Sequence, residues 1–330
     1  MNTPCLIRGM GHAVPDSVLT NADFERMVDT NDEWIVSRTG IKERHVALHG
    51  ETCVDLSTIA AKRALEDAGM AADQLTHVLV ATFSADTPIP SAACMLSHRL
   101  GLSGRVSMDL SAACSGFLYA LETARALIVL HPEAKILVVG CDIVSSRTDY
   151  TDRSTCVLFG DGAGACVVTA DEPGVRGGRV LDVLLASDGA MGDLLTIKGG
   201  GSGAPYKMGE TVRRNFFVEM NGREVYKYAV RAMSSICEEM LARHNVAHEA
   251  VDLFIPHQAN MRIIEAVGKR MGMPEERVFA NLQHYGNTSA ASVPIALSEA
   301  RIQGRIKDGG LVLLGTFGGG FTWGSALVRF

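Results

Sequence analysis

The order of apolar segments in this chain repeats between its two halves, and that repeat constrains the fold more than any single motif. In the first half, residues 52–69 have helical spacing, with Leu56, Ile59, Ala60, Ala64 and Leu65 on one face. A strand at 77–83 follows, then a helix at 91–100, a strand at 105–110, a helix opening at Cys114, a strand at 135–140 and an apolar run at 156–169. The second half reads as a helix at 222–244, a strand at 251–256, a helix at 259–271, a strand at 277–282, a helix starting near Asn287, a strand at 311–317 and a closing segment at 321–330. Val, Ile and Leu runs that alternate with helices suit sheets covered on both faces. The expectation is an α/β protein built of two like halves, 1–172 and 173–330.

The spacing of three residues sharpens this. Ser84, just past its strand, stands as far before Cys114 as His257, just past the equivalent strand, stands before Asn287. If the halves are pseudo-symmetric, Cys114 and Asn287 occupy matching helix starts, and His257 sits at a strand end nearby. Open α/β sheets bind ligands at the carboxyl ends of their strands.

Composition narrows the function classes. The chain has 330 residues, 47 % hydrophobic and 21 % charged, which is ordinary for a globular protein. A net charge of −6 argues against a general nucleic-acid binder. The opening MNTPCLIRGM has no charged start followed by an apolar run, so no secretory signal is expected. No uninterrupted apolar stretch approaches the length of a membrane span. The eight cysteines form no C-x-x-C pair and lie in apolar segments, which fits reduced thiols in a cytoplasmic protein. All but Cys114 are expected in the core. No H-E-x-x-H, P-loop or calcium-loop pattern is present, so no metal is expected.

Four segments could carry chemistry. In SAACSGF (111–117), Cys114 is collared by small residues and followed by an apolar helix. A thiol at a helix N-terminus would have its pKa lowered by the macrodipole; the alternative is an inert buried cysteine. In PHQAN (256–260), His257 is either structural or, beside a nucleophile, part of a site. In HYGNTSAAS (284–292), Asn287 could equally be a helix N-cap. In GTFGGGFTWG (315–324), the glycines either expose N–H groups as an oxyanion hole or make a tight turn. Two segments are decoys. GDGAGA (160–165) fits a dinucleotide fingerprint, but a strand rather than a helix follows it. GGGSGAP (199–205) lacks the G-K-[ST] ending and reads as a surface loop.

Taken in order over the whole length, NDEWIVSRTGIKERH (31–45), SAACSGF, DRSTCVLFGDGAGA (152–165), PHQANMRII (256–264), HYGNTSAASVP (284–294) and FGGGFTWGSALVRF (317–330) resemble the β-ketoacyl-[acyl-carrier-protein] synthase III family. These are the initiating condensing enzymes of type II fatty acid synthesis. The resemblance implies thiolase-like duplicated βαβαβ halves in a layered αβαβα sandwich. It implies a Cys114–His257–Asn287 triad and an oxyanion hole from the N–H groups of Cys114 and Gly319. It places Trp34, Arg38 and Arg153 on CoA, and Gln258, Ala259, Asn260, Met261 and Arg262 on the carrier protein. The primer pocket would take Phe317 and, from a second subunit, Ile89.

The reaction implied is a decarboxylating condensation of a short acyl-CoA with malonyl-[acyl-carrier-protein] through acyl-Cys114, in a cytoplasmic homodimer without a resident cofactor, metal, nucleic acid or membrane partner. A relative specialised for another acceptor in secondary metabolism is the alternative. Because the carrier is acidic and this chain net negative, a local cationic face is required. Arg262, Lys269 and Arg270 lie on one expected helix, Lys227 and Arg231 on another. Arg223, Tyr226 and Ile89 depart from residues common in the family. A smaller Ile89 in place of Phe would admit a longer or branched primer.

Overall fold

The computed structural model describes residues 5–330. The first half runs β1 (Cys5–Ala13), α1 (Asp32–Thr39), α2 (Cys53–Ala68), β2 (His77–Ala81), α3 (Ala92–Arg99), β3 (Val106–Leu110), α4 (Gly116–Leu130), β4 (Lys135–Asp142) and β5 (Gly162–Ala170). The second runs β6 (Gly178–Ser187), α5 (Gly222–Arg243), β7 (Leu253–Pro256), α6 (Met261–Arg270), α7 (Ser292–Ile302), β8 (Leu311–Gly318) and β9 (Thr322–Arg329). The first strand of each half, β1 and β6, is an element that the apolar spacing did not reveal.

Nine strands pair in the order β7-β8-β9-β6-β1-β5-β4-β2-β3. Read outward from the β1–β6 seam, the two halves have the same order and the same sense. β1–β5 and β5–β4 are antiparallel, and β4–β2 and β2–β3 parallel. In the second half β6–β9 and β9–β8 are antiparallel, and β8–β7 parallel. The counterpart of β3 should be the strand expected at 277–282. That expectation fails: the segment makes one bridge, Val278 to Phe254, between a 3-10 turn at Glu275–Arg277 and a short helix at Leu282–Tyr285. The Gln258 side chain takes the backbone groups a longer strand would offer. Its Nε2 donates to Phe279 O (3.2 Å), and its Oε1 accepts from Asn281 N (2.9 Å).

Strand alternation sorts the core into layers. In β4, Ile136 and Val138 face the middle of the molecule, and in β8 so do Val312 and Leu314. They meet α4 and α7, which contribute Phe117, Leu121, Val293 and Leu297 to the same cluster. The alternate residues Leu137 and Val139 pack outward on α2 and α3. Leu311 and Leu313 pack outward on α5 and α6. The sandwich is therefore α2/α3, half-sheet, α4/α7, half-sheet, α5/α6. The window Ala113–Leu130 is long and apolar enough to cross a membrane by composition alone, but it is the central-layer helix α4 and the turn before it. Helix α2 starts on a Thr52–Asp55 capping box and ends on Gly69 at φ 62°. Ile59 lies outside its buried face.

The register corrects the residue-level symmetry. Ala81 ends β2 opposite Gly140, and Pro256 ends β7 opposite Gly315. Thr82, not Ser84, is thus the counterpart of His257. The 3-10 turn Ala113–Ser115 leads into α4, and Ser289–Ala291 leads into α7. Both turns begin with a left-handed residue, Ala113 at φ 44° and Ser289 at φ 52°. Cys114 therefore matches Ala290, and Asn287 lies before its turn rather than at a helix start.

Candidate active site

A cavity of about 1170 Å³ lies where the carboxyl ends of β2, β7 and β8 meet the turns before α4 and α7. Cys114, His257 and Asn287 all line it. Two come from the second half and one from the first, so the site exists only because the halves pack together.

The Cys114 turn is fastened across that junction. Ser115 Oγ donates to Thr322 O (3.0 Å), and Thr322 Oγ1 donates to Ala112 O (2.8 Å). Gly318 permits the close approach. A β-carbon there would lie 2.7 Å from the Cys114 nitrogen and 3.2 Å from its Cα. Ser115 N to Ala112 O is the first hydrogen bond of the turn, which leaves the Cys114 N–H ahead of the ladder. The Gly319 N–H, just past β8, meets no backbone carbonyl among the described residues. The two N–H groups expected to form an oxyanion hole are thus both unspent, and both residues line the cavity.

The expected lowering of the Cys114 pKa is reversed. Burial pushes the thiol up to about 12, and the charge of Asp142 adds to the rise. Desolvation of an anion outweighs the end of a helix that begins two residues later. His257 is fixed by its backbone, its N–H donating to Gly315 O (2.7 Å). Burial pulls its imidazole down to about 3, so the ring is neutral at pH 7. Its Nδ1 is buried without a protein partner among the described residues. Asn287 Oδ1 accepts from Ser289 N (2.9 Å), an Asx turn rather than a helix cap. That bond leaves the Nδ2 protons as the group Asn287 can offer.

The remaining expected residues divide. Trp34 and Arg38 line the cavity mouth, and Arg38 and Arg153 both lie over the Trp34 ring, at 4.9 and 5.1 Å from its centroid. Phe317 lines the interior. Ile89 does not: it is 88 % exposed in the single chain. Ala259, Asn260 and Arg262 line the mouth, with Arg223 and Lys227. Asn260 caps α6 and donates to Arg38 O (3.1 Å), which ties α6 to α1. Met261 packs against Gly40. Gln258 is a correction: at 1 % exposure it is the strut described above and has no surface for a carrier.

The 199–205 segment is a surface loop as expected, with Gly200 and Gly201 exposed, and Gly199, Gly200 and Gly201 also line the cavity. Cys94 is a further correction, exposed rather than in the core. The spacing argument missed Arg147, over the Phe216 ring at 3.9 Å, and Ser289, both in the cavity wall. Neither has a motif of its own. Only packing puts them there. The rejected GDGAGA segment does run into a strand, β5, and its Gly164 lies against the Pro294–Ile295 backbone.

Half-sheets of like order and sense that pool a thiol, an imidazole and a carboxamide in one enclosed space define a thiolase-like condensing enzyme. Comparison with known proteins makes this specific. The family model described as 3-oxoacyl-[acyl-carrier-protein] synthase III matches residues 108–189, and that of its C-terminal part matches 241–330. The chain is 56 % identical to the β-ketoacyl-[acyl-carrier-protein] synthase III of Oleidesulfovibrio alaskensis over 329 residues, covering 100 % of both chains. It is 54 % identical to that of Nitratidesulfovibrio vulgaris over 331 residues, again covering 100 % of each. The crystal structure of 3-oxoacyl-[acyl-carrier-protein] synthase III from Aquifex aeolicus superposes with a TM-score of 0.89 at 44 % identity, covering 99 % of this chain and 100 % of that one. The chain belongs to the β-ketoacyl-[acyl-carrier-protein] synthase III family.

Proposed function

We propose that Cys114, His257 and Asn287 carry out in this chain the family's reaction. A short acyl-CoA and malonyl-[acyl-carrier-protein] condense to 3-oxoacyl-[acyl-carrier-protein], with release of CoA and CO2, and fatty acid synthesis begins. The observation that carries the residue roles is the convergence of the three groups on one cavity from both halves.

In the first stage the Cys114 sulfur attacks the thioester carbonyl, and CoA leaves as its thiol, taking up the proton that Cys114 gives up. The Cys114 and Gly319 N–H groups receive the oxyanion; one such donor lowers a barrier by about 3 kcal/mol. The acyl-enzyme divides a difficult condensation into two steps. In the second stage malonyl-carrier loses CO2, and the electron pair passes to its thioester oxygen as an enolate. A neutral His257 presents one ring N–H, and Asn287 presents Nδ2; both suit that oxygen. The carbanion then attacks the acyl group, and the Cys114 sulfur leaves. Loss of CO2 supplies the carbanion, so no resident cofactor is called for.

Trp34, with Arg38 and Arg153 on its ring, suits a nucleotide end at the cavity mouth. Exposed Arg262, Arg223 and Lys227 at the same mouth give an acidic carrier a cationic landing place on a net-negative chain. A homodimer would form through β3, an edge strand on which Val106 and Met108 are 48 % and 37 % exposed, and would bring Ile89 toward the partner. We place the enzyme in the cytoplasm, where free cysteines stay reduced.

Mass spectrometry of the chain incubated with a panel of acyl-CoAs tests this reading. An acyl adduct on Cys114 is expected, and none in Cys114→Ser. Asn287→Ala should keep acylation but lose decarboxylation of malonyl-carrier. Wild-type decarboxylation by that variant would refute the assignment.

A further inference from the structure

Ser289 is a cost the fold has no evident reason to bear. It is 2 % exposed, and its hydroxyl is buried with no hydrogen-bond partner among the described residues. Buried hydroxyls are nearly always paired, so an orphan one asks for an explanation. Its backbone sits at φ 52°, a region that residues with a β-carbon rarely adopt. Two ties hold it there. Its own N–H donates to Asn287 Oδ1 (2.9 Å), and the next N–H, of Ala290, donates to Asp142 Oδ2 (3.2 Å).

Asp142 is fully buried at the end of β4. Its Oδ1 accepts from Thr82 Oγ1 (2.9 Å), Phe83 N (2.9 Å) and Ser84 Oγ (2.8 Å). One carboxylate thus gathers the end of β2, the end of β4 and the turn before α7. Ser289 lines the cavity beside Cys114. The two turns are in contact: a β-carbon at Gly116, two residues past Cys114, would lie 3.6 Å from the Ala290 side chain, next to Ser289.

We propose that Ser289 is a further catalytic residue, whose hydroxyl is the donor the Cys114 sulfur meets as it gains charge, and that Asp142 is the positioning residue that holds the turn carrying it. This rests on Cys114 being the nucleophile. A neutral thiol is a weak acceptor, and a charged sulfur a strong one. A donor left unpaired in the resting site and satisfied only when charge forms stabilises the reactive state selectively. Ser289 keeps its proton throughout; it donates a hydrogen bond and transfers nothing. The left-handed residue begins the turn that brings Ser289 to the cavity, while the same residue's N–H fixes Asn287. One residue thereby serves the nucleophile with its side chain and the carboxamide with its backbone.

The test is the rate at which iodoacetamide alkylates Cys114 between pH 6 and pH 9, read by mass of the modified peptide, with thermal melting alongside. Ser289→Ala and Ser289→Gly should both slow alkylation about tenfold at every pH, the loss of a hydrogen bond to a charged acceptor. Ser289→Gly relieves the backbone and should melt no lower than the parent. Equal loss in both variants without loss of stability supports the hydroxyl. Unchanged rates in both, or recovery in Ser289→Gly, would overturn its role. Asp142→Asn then tests positioning through a double-mutant cycle. The penalty of Ser289→Ala should shrink in the Asp142→Asn background, and strict additivity would remove Asp142 from the proposal. If Asp142→Asn does not fold, the two Ser289 variants still decide the catalytic half. Failure of acyl-CoA to load Cys114 in the parent would instead sink the assignment of Cys114 as nucleophile, a distinguishable failure.

Discussion

At the scale of single residues, the resting site is a neutral pair. Cys114 is held near 12 and His257 near 3, each by burial. A thiol with that pKa gains thiolate tenfold per pH unit throughout the neutral range. The imidazole adds no step there, because it is already deprotonated. Alkylation of Cys114 by iodoacetamide should therefore rise log-linearly from pH 6 to pH 9 without a plateau. A plateau, or a step near pH 6.5, would mean that a thiolate–imidazolium pair exists at rest. Catalysis then depends on charge that appears only when substrate arrives, which is the condition under which fixed N–H donors matter most.

At the scale of elements, the site is a junction of turns rather than of helix ends. The Ala113–Ser115 turn lies against the 318–322 turn, closely enough that Gly318 can have no side chain. Gly318→Ala would set a methyl against backbone, which cannot swing away. It should cost about 1–3 kcal/mol of stability by overpacking. It should also slow acylation of Cys114 by up to about 100-fold through displacement of the nucleophile. Denaturant unfolding and single-turnover acyl transfer would measure the two; wild-type acylation by a stable variant would contradict the close approach. Element positions were legible because strands covered on both faces are continuous apolar runs and helices recur at their own period. Ile136 and Val138 against Leu137 and Val139 show that pattern in a single strand. The strand expected at 277–282 was not built, because one buried glutamine, Gln258, competes for its backbone.

At the scale of the whole molecule, the two halves join at β1 and β6, among the described residues, through Cys5–Ile7 and Gly178–Val180. Residues of α4 and α7 share one buried cluster with strands of both halves. The outer edge at β3 remains open, with apolar Val106 and Met108 exposed beside it. An open apolar edge is a pairing surface, and a two-fold axis closes it. Sedimentation should therefore report twice the chain mass of 35.2 kDa. Replacing both Val106 and Met108 with aspartate should give monomers and impair primer selection if Ile89 serves the partner's cavity. A doubly substituted chain that stays dimeric would place the interface elsewhere.

What the sequence determined by itself was the plan: two like halves, the alternation that buries each sheet on both faces, and the thiol, imidazole and carboxamide as separate candidates. Periodicity is local, and a single chain carries it in plain order. What only the tertiary structure decided was company. Cys114 and Asn287 are not symmetry mates, yet they share a cavity because the turns carrying them are drawn together by Asp142, Ser289 and Thr322. Ser289, Asp142 and Arg147 carry no spacing signal, and the thiol's pKa runs opposite to its helix. Contacts between segments far apart in the chain, and the water they exclude, follow from packing that no local pattern encodes.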